Sequence, residues 1–212
     1  MPLSDRDYMR RTPPAGGYHR GRGYQGFILN PVWTLIGLNL LFFIATTINS
    51  SLEAELGLIP LLFTGRPWTI LTAMFVHAHF WHIFGNMITL YFFGTAVYHL
   101  LGQGRFLLLY FGGGLIGNLL YILLGTPMSI VVGASGAVFA VAGALAVMLP
   151  RLQVRVYFVI PMPLWAVVII FFGLWSIPGL ITGVAWQAHL GGLATGLIAG
   201  YFFRRSRRFI VY

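Results

Sequence analysis

Apolar residues in this chain gather in runs of about twenty, with only short polar stretches between them. A bilayer core of ~30 Å takes about 20 apolar residues per helical crossing. No other feature of the chain constrains its fold so tightly. Of the 212 residues, 58% are hydrophobic and 8% charged, whereas a soluble domain carries roughly a quarter charged residues. The pattern predicts an all-α, multi-pass membrane protein.

Six spans are expected. The first is 31–50, opened by Asn30-Pro31, a cap followed by a first-turn proline. A semi-apolar connection, 51–79, is broken by Pro60, Gly65 and Pro67. The second, third and fourth spans are 80–98, 106–124 and 131–149, the last stopped by Pro150. The fifth begins near Pro161 or Pro163 and ends by Pro178; the sixth is 185–203. The domain plan is then a basic, disordered tail over 1–26, a helical bundle over 27–205 and a short tail over 206–212. The first run is too long and too far along the chain to read as a cleaved signal peptide.

Every one of the 13 basic residues is arginine, and cysteine is absent. The charge of +9 orients the bundle and is no mark of nucleic-acid binding. With a cytoplasmic N-terminus, only Arg66 falls outside. The tail, Arg105, Arg151, Arg155 and the cluster Arg204, Arg205, Arg207 and Arg208 fall inside. Both termini are therefore expected in the cytoplasm. A design of six spans without added domains favours a prokaryotic cell membrane.

Small residues recur every four positions on two spans: Gly136, Ala140 and Ala144 on the fourth, Gly192, Gly196 and Gly200 on the sixth. Such stripes let helix backbones approach closely. Gly113 and Gly117 repeat the pattern on the third. Polar side chains are costly in hydrocarbon and invite a functional reading. Ser135, His189, His82 and Asn86 come from three spans that descend from the outer face, and all fall near one depth. At ~1.5 Å per residue, Ser135 and His189, each about four residues into its span, lie roughly 6 Å below the surface. Alone, Ser135 is more often a packing serine bonded to a carbonyl, and His189 an interface histidine. Together, at one level and on glycine-lined helices, they become candidates for a nucleophile and a base.

At these residues the sequence resembles the rhomboid family of intramembrane proteases. The likeness rests on Gly133-Ala134-Ser135-Gly136, on His82-x-x-x-Asn86 with His77 upstream, and on Ala188-His189 followed by Gly192 and Gly196. It implies a six-helix bundle with a membrane-embedded first outer loop and a wet cavity open to the outer face. It also implies Ser135 as nucleophile and His189 as base, with His82, Asn86 and the Ser135 backbone N–H stabilising the oxyanion. His77 matches a loop-supporting position, and Trp68 matches an aromatic in the first loop. Thr69 stands where an arginine usually follows that tryptophan. Phe139 stands where a tyrosine often packs on the base, and Tyr98-His99 lies where many relatives carry a glutamate.

The inventory limits the chemistry. A Ser–Lys pair is impossible without lysine. The only carboxylates are Asp5, Asp7, Glu53 and Glu55, so a buried third member of a Ser-His-Asp triad is not expected. His189 should work without an acid, oriented by Phe139. The same inventory excludes an aspartyl enzyme and an H-E-x-x-H metalloprotease. His79-x-x-His82 resembles half of a metal site, but nothing completes the shell, so no metal or other cofactor is expected. The expected substrates are membrane proteins whose transmembrane helix unwinds near the outer face. Segments 125–130 and 178–184 are the expected points of water entry. Two rival readings are an inactive rhomboid-like protein that binds membrane proteins, and a small multi-pass transporter. The latter expects inverted repeats, and no convincing repeat is found.

Overall fold

The computed structural model describes residues 30–156 and 159–206. The expected tail over 1–26 lies outside the described residues, as does the chain beyond Ser206. Helix α1 (Pro31–Ile48) starts where Asn30 accepts the Val32 N–H through its side chain, with proline in the first turn. The connection that follows carries two short helices, α2 (Ser51–Leu56) and α3 (Thr69–Thr72). Next come α4 (Phe80–Thr89), a π-helical turn over Leu90–Gly94 and α5 (Thr95–Leu101), which together fill the expected second span and run a few residues beyond it. Helix α6 (Gln103–Leu124) matches the third span. Both α1 and α6 are long and apolar enough to cross a bilayer.

The fourth expected span, 131–149, begins later than its hydropathy indicates. Helix α7 is Ser135–Met148. Residues ahead of it are extended because Val131 exchanges both backbone hydrogen bonds with Leu58 and Gly133 has a φ of +129°. A left-handed φ cannot continue a right-handed helix. Ser135 is thus the first residue of its helix, not the fourth or fifth of a longer one.

A second departure follows α7. An antiparallel hairpin, β1 (Gln153–Val156) and β2 (Ile160–Pro163), interrupts a chain expected to be all-α. Its first strand alternates polar and β-branched residues, Gln153-Val154-Arg155-Val156. Pro161 and Pro163 are tolerated because a two-stranded ribbon leaves an edge free of ladder bonds. Pro163 then leads into α8 (Leu164–Val167), which continues as a π-helical turn over Val168–Gly173. The fifth expected span is therefore short. Helix α9 (Trp186–Ser206) closes the described chain.

Helix α7 is the axis of the bundle, and almost every residue along it is buried. A helix surrounded on all sides must be apolar on all sides, and α7 achieves close contact by being small. The two expected stripes meet rung for rung. A Cβ on Gly192 would strike the Gly136 carbonyl, one on Gly196 the Ala140 carbonyl, and one on Gly200 would come within 2.8 Å of Ala144. The third helix joins the same contact: a Cβ on Gly113 would strike Ala140, and one on Gly117 would stand 2.5 Å from the Ala188 carbonyl oxygen.

The first connection is tied down by polar contacts. Thr72 donates to the Leu56 carbonyl, Asn118 of α6 to the Ile70 carbonyl and Arg66 to the Ala54 carbonyl. The Gly133 N–H reaches the Ala73 carbonyl. Trp68, at the start of α3, is exposed.

Candidate active site

The stripes of α7 and α9 bring Ser135 and His189 together. His189 Nε2 lies 2.9 Å from Ser135 Oγ, and His189 Nδ1 lies 3.0 Å from the Trp175 carbonyl oxygen. A carbonyl can only accept, so Nδ1 carries the imidazole proton. Nε2 is then the acceptor, and the Ser135 hydroxyl donates to it. Phe139, one turn along α7 from Ser135, stacks on the His189 ring with centroids 4.1 Å apart and planes 17° from parallel. Phe172 meets the other edge of this stack, its centroid 4.8 Å from that of Phe139. His189 is buried, while Ser135 is half-buried at the helix start.

The start of α7 offers hydrogen-bond donors. The first N–H groups of a helix have no partner within it, and no side chain caps α7. The Gly133 N–H is taken by Ala73 and the Ala134 N–H by His77 Nε2, at 3.4 Å. Ser135 therefore presents the first free N–H of the series. His77 also lies 3.3 Å from the Phe75 carbonyl through Nδ1. Its two contacts fix the tautomer with the proton on Nδ1. Burial, aided by neighbouring His82, pushes the His77 pKa down to about 3, so the ring is a neutral strut between the connection and α7.

His82 stands beside this helix start, its ring 5.0 Å from that of His77 and pressed against the Gly133 backbone. Asn86 is buried one turn further along α4, where its Nδ2 donates to the His82 carbonyl at 3.0 Å. No hydrogen bond joins it to Ser135 among the described residues, and its own bond lies within α4 rather than between helices. His79 caps α4, accepting the His82 N–H at 3.2 Å through Nδ1. Among the described residues no group of three His, Cys, Asp or Glu side chains could hold a metal ion. The Trp175 carbonyl escaped sequence reasoning, because a backbone acceptor leaves no letter in the sequence. Pro178-Gly179, just after it, is the signal that the helix ends there.

The Rhomboid domain profile matches residues 64–206, which hold Ser135, His189, His82 and Asn86. The chain belongs to the rhomboid family. That family consists of integral membrane proteins, generally intramembrane serine proteases. The chain is 32% identical over 163 residues to RHOMBOID-like protein 12, mitochondrial, from Arabidopsis thaliana, a match covering 68% of this chain and 48% of that protein. It is 30% identical over 174 residues to Rhomboid protease GluP from Bacillus subtilis, covering 79% of this chain and 33% of GluP. Rhomboid protein 1, mitochondrial, from Saccharomyces cerevisiae is 30% identical over 157 residues, covering 65% and 42%. The chain thus spans less than half the length of these rhomboid relatives. They come from mitochondria as well as bacteria, and others from Toxoplasma gondii, so the expected prokaryotic origin finds no support in their sources.

Proposed function

We propose that this rhomboid is an intramembrane serine endopeptidase that works through a Ser135–His189 dyad. The single observation carrying this reading is the 2.9 Å approach of His189 Nε2 to Ser135 Oγ, within hydrogen-bond reach of a nucleophile and its base. Ser135 Oγ attacks the scissile carbonyl carbon while its proton passes to Nε2. The carbonyl oxygen becomes an oxyanion, met by the Ser135 N–H, His82 and Asn86. Collapse breaks the C–N bond, and Nε2 returns the proton to the leaving amine. Water, deprotonated by the same nitrogen, then releases the acyl group from Ser135. Six spans with cytoplasmic termini put this chemistry near the outer face, where α7 and α9 both begin. The substrate is a membrane protein whose helix opens there, since a regular helix keeps its carbonyls bonded.

Among the described residues the carboxylate of a triad has no counterpart at His189, which meets Ser135, the Trp175 carbonyl and Phe139. Inactive proteins occur in the family, but this chain keeps both reacting groups. Labelling with a fluorophosphonate probe tests the reading. The protein in bilayers should take up the probe at Ser135; Ser135→Ala and His189→Ala should not, and neither should cleave a transmembrane substrate. Glu53→Gln and Glu55→Gln should cleave normally. Cleavage surviving in Ser135→Ala would overturn the proposal.

A further inference from the structure

The orientation of His189 depends on a carbonyl that ought to be occupied. Beyond the π-helical turn the chain tightens into a series of short-range bonds, each N–H reaching three residues back. Ser176 donates to the Gly173 carbonyl at 3.0 Å, Ile177 to Leu174 at 3.2 Å and Leu180 to Ile177 at 3.4 Å. The next rung after Ile177 would run from residue 178 to the Trp175 carbonyl. Residue 178 is proline and has no N–H. That missing rung is the carbonyl His189 Nδ1 approaches at 3.0 Å. Gly179, at a φ of +71°, then turns the chain away from any continued helix.

We propose that Pro178 is a positioning residue for the base: by withholding an N–H, it keeps the Trp175 carbonyl open to His189 Nδ1. The inference rests on the reading of Ser135 and His189 as nucleophile and base, and it supplies what that dyad lacks. In a triad a carboxylate selects the tautomer and steadies the imidazolium. Here the carbonyl end of the segment from α8 selects the same tautomer. Helix carbonyl ends carry partial negative charge that favours a cation nearby, so the same group steadies the ring once it has taken the serine proton. Ser176, buried with its hydroxyl 2.9 Å from the Phe172 carbonyl, holds the turn in shape. Phe172 also packs on Phe139, so one short segment steers the imidazole through both its carbonyl and its aromatic support.

The test combines ring ¹⁵N NMR of the histidine-labelled full-length protein in lipid nanodiscs with steady-state cleavage. In the native protein, neutral His189 should carry its proton on Nδ1. Pro178→Ala restores an N–H that competes for the Trp175 carbonyl. The His189 signals should then show mixed tautomers, and kcat should fall by between about tenfold and ~10⁴-fold, the upper figure being the loss from a wrong tautomer in a triad. KM should stay within about twofold, because the change leaves substrate binding untouched. A native His189 protonated on Nε2 would sink the inference by itself, so the result does not depend on the variant folding. A Pro178→Ala protein with native signals and native kcat would sink it equally. If Ser135→Ala is inactive while Pro178→Ala keeps native signals and native kcat, only the role of Pro178 fails. If Ser135→Ala still cleaves, the dyad fails and takes this inference with it.

Discussion

His82 rests on the bare backbone of Gly133: a methyl group added there would stand 2.7 Å from both Cε1 and Nε2 of the ring. The glycine also holds a φ of +129°, which a side chain resists at a cost of about 1–3 kcal/mol. Gly133→Ala should therefore push His82 away from the start of α7. If His82 is an oxyanion donor, turnover should fall by about 10²–10³, the usual consequence of losing one such group. Cleavage of a transmembrane substrate in proteoliposomes, with melting measured in parallel, checks this. Native turnover in Gly133→Ala would separate His82 from the reaction.

Contact between α7 and α9 sets the distance between nucleophile and base. A Cβ on Gly196 would strike the Ala140 carbonyl, whereas one on Gly112 would meet nothing within 4 Å. Gly196→Ala should destabilise the protein by about 1–3 kcal/mol, as overpacking does, and should slow cleavage by spreading Ser135 from His189. Gly112→Ala, in the middle of α6, should be neutral or gain about 0.5–1 kcal/mol from a helix former replacing glycine. Thermal unfolding of both variants in the same lipid decides the matter. Equal melting temperatures would mean that the two helices have room to yield.

These contrasts show which parts of the protein its sequence displays. A spacing of four is a property of one helix and can be read locally, so the stripes Gly136-Ala140-Ala144 and Gly192-Gly196-Gly200 were legible, while their rung-for-rung pairing is a finding of the structure. So was the meeting of Phe139 with His189, one turn from Ser135. The start of α7 was not legible. Val131 and Val132 are as apolar as the helix after them, and their extended state depends on Leu58, far away in sequence. The hairpin before α8 was hidden for a similar reason: hydropathy separates apolar from polar residues but not a strand pair from a loop. Asn86 bonds within α4, a choice that side-chain identity does not determine.

His77 gives the fold a dependence on pH. Its pKa falls from 6.5 to about 3 on folding, chiefly through burial and next through His82. The unfolded chain binds a proton at this position near pH 6.5, while the folded one resists until about pH 3. The stabilisation from a neutral His77 is therefore complete above about pH 6.5 and is lost steadily as pH falls toward 3. Melting temperatures over that range should decline less steeply in His77→Gln than in the native protein, because glutamine takes up no proton. Parallel curves for the two proteins would show that His77 does not titrate with unfolding.

Asn86 offers a sharper division between folding and chemistry. Among the described residues its side chain bonds only to a carbonyl four residues back in the same helix, so truncation breaks no tie between helices there. The amide has a second N–H, and Asn86 lies one turn from His82 on the same face of α4. Asn86→Ala should therefore melt close to the native protein while its kcat falls by about 10²–10³, with KM little changed. Asn86→Asp should be at least as slow, because it replaces the donor with a negative charge facing the developing oxyanion. Fluorophosphonate labelling of Ser135 in both variants shows whether the nucleophile is still in place. A variant that folds, takes up the probe and cleaves at the native rate would leave Asn86 as a helix-bonded side chain with no part in the reaction.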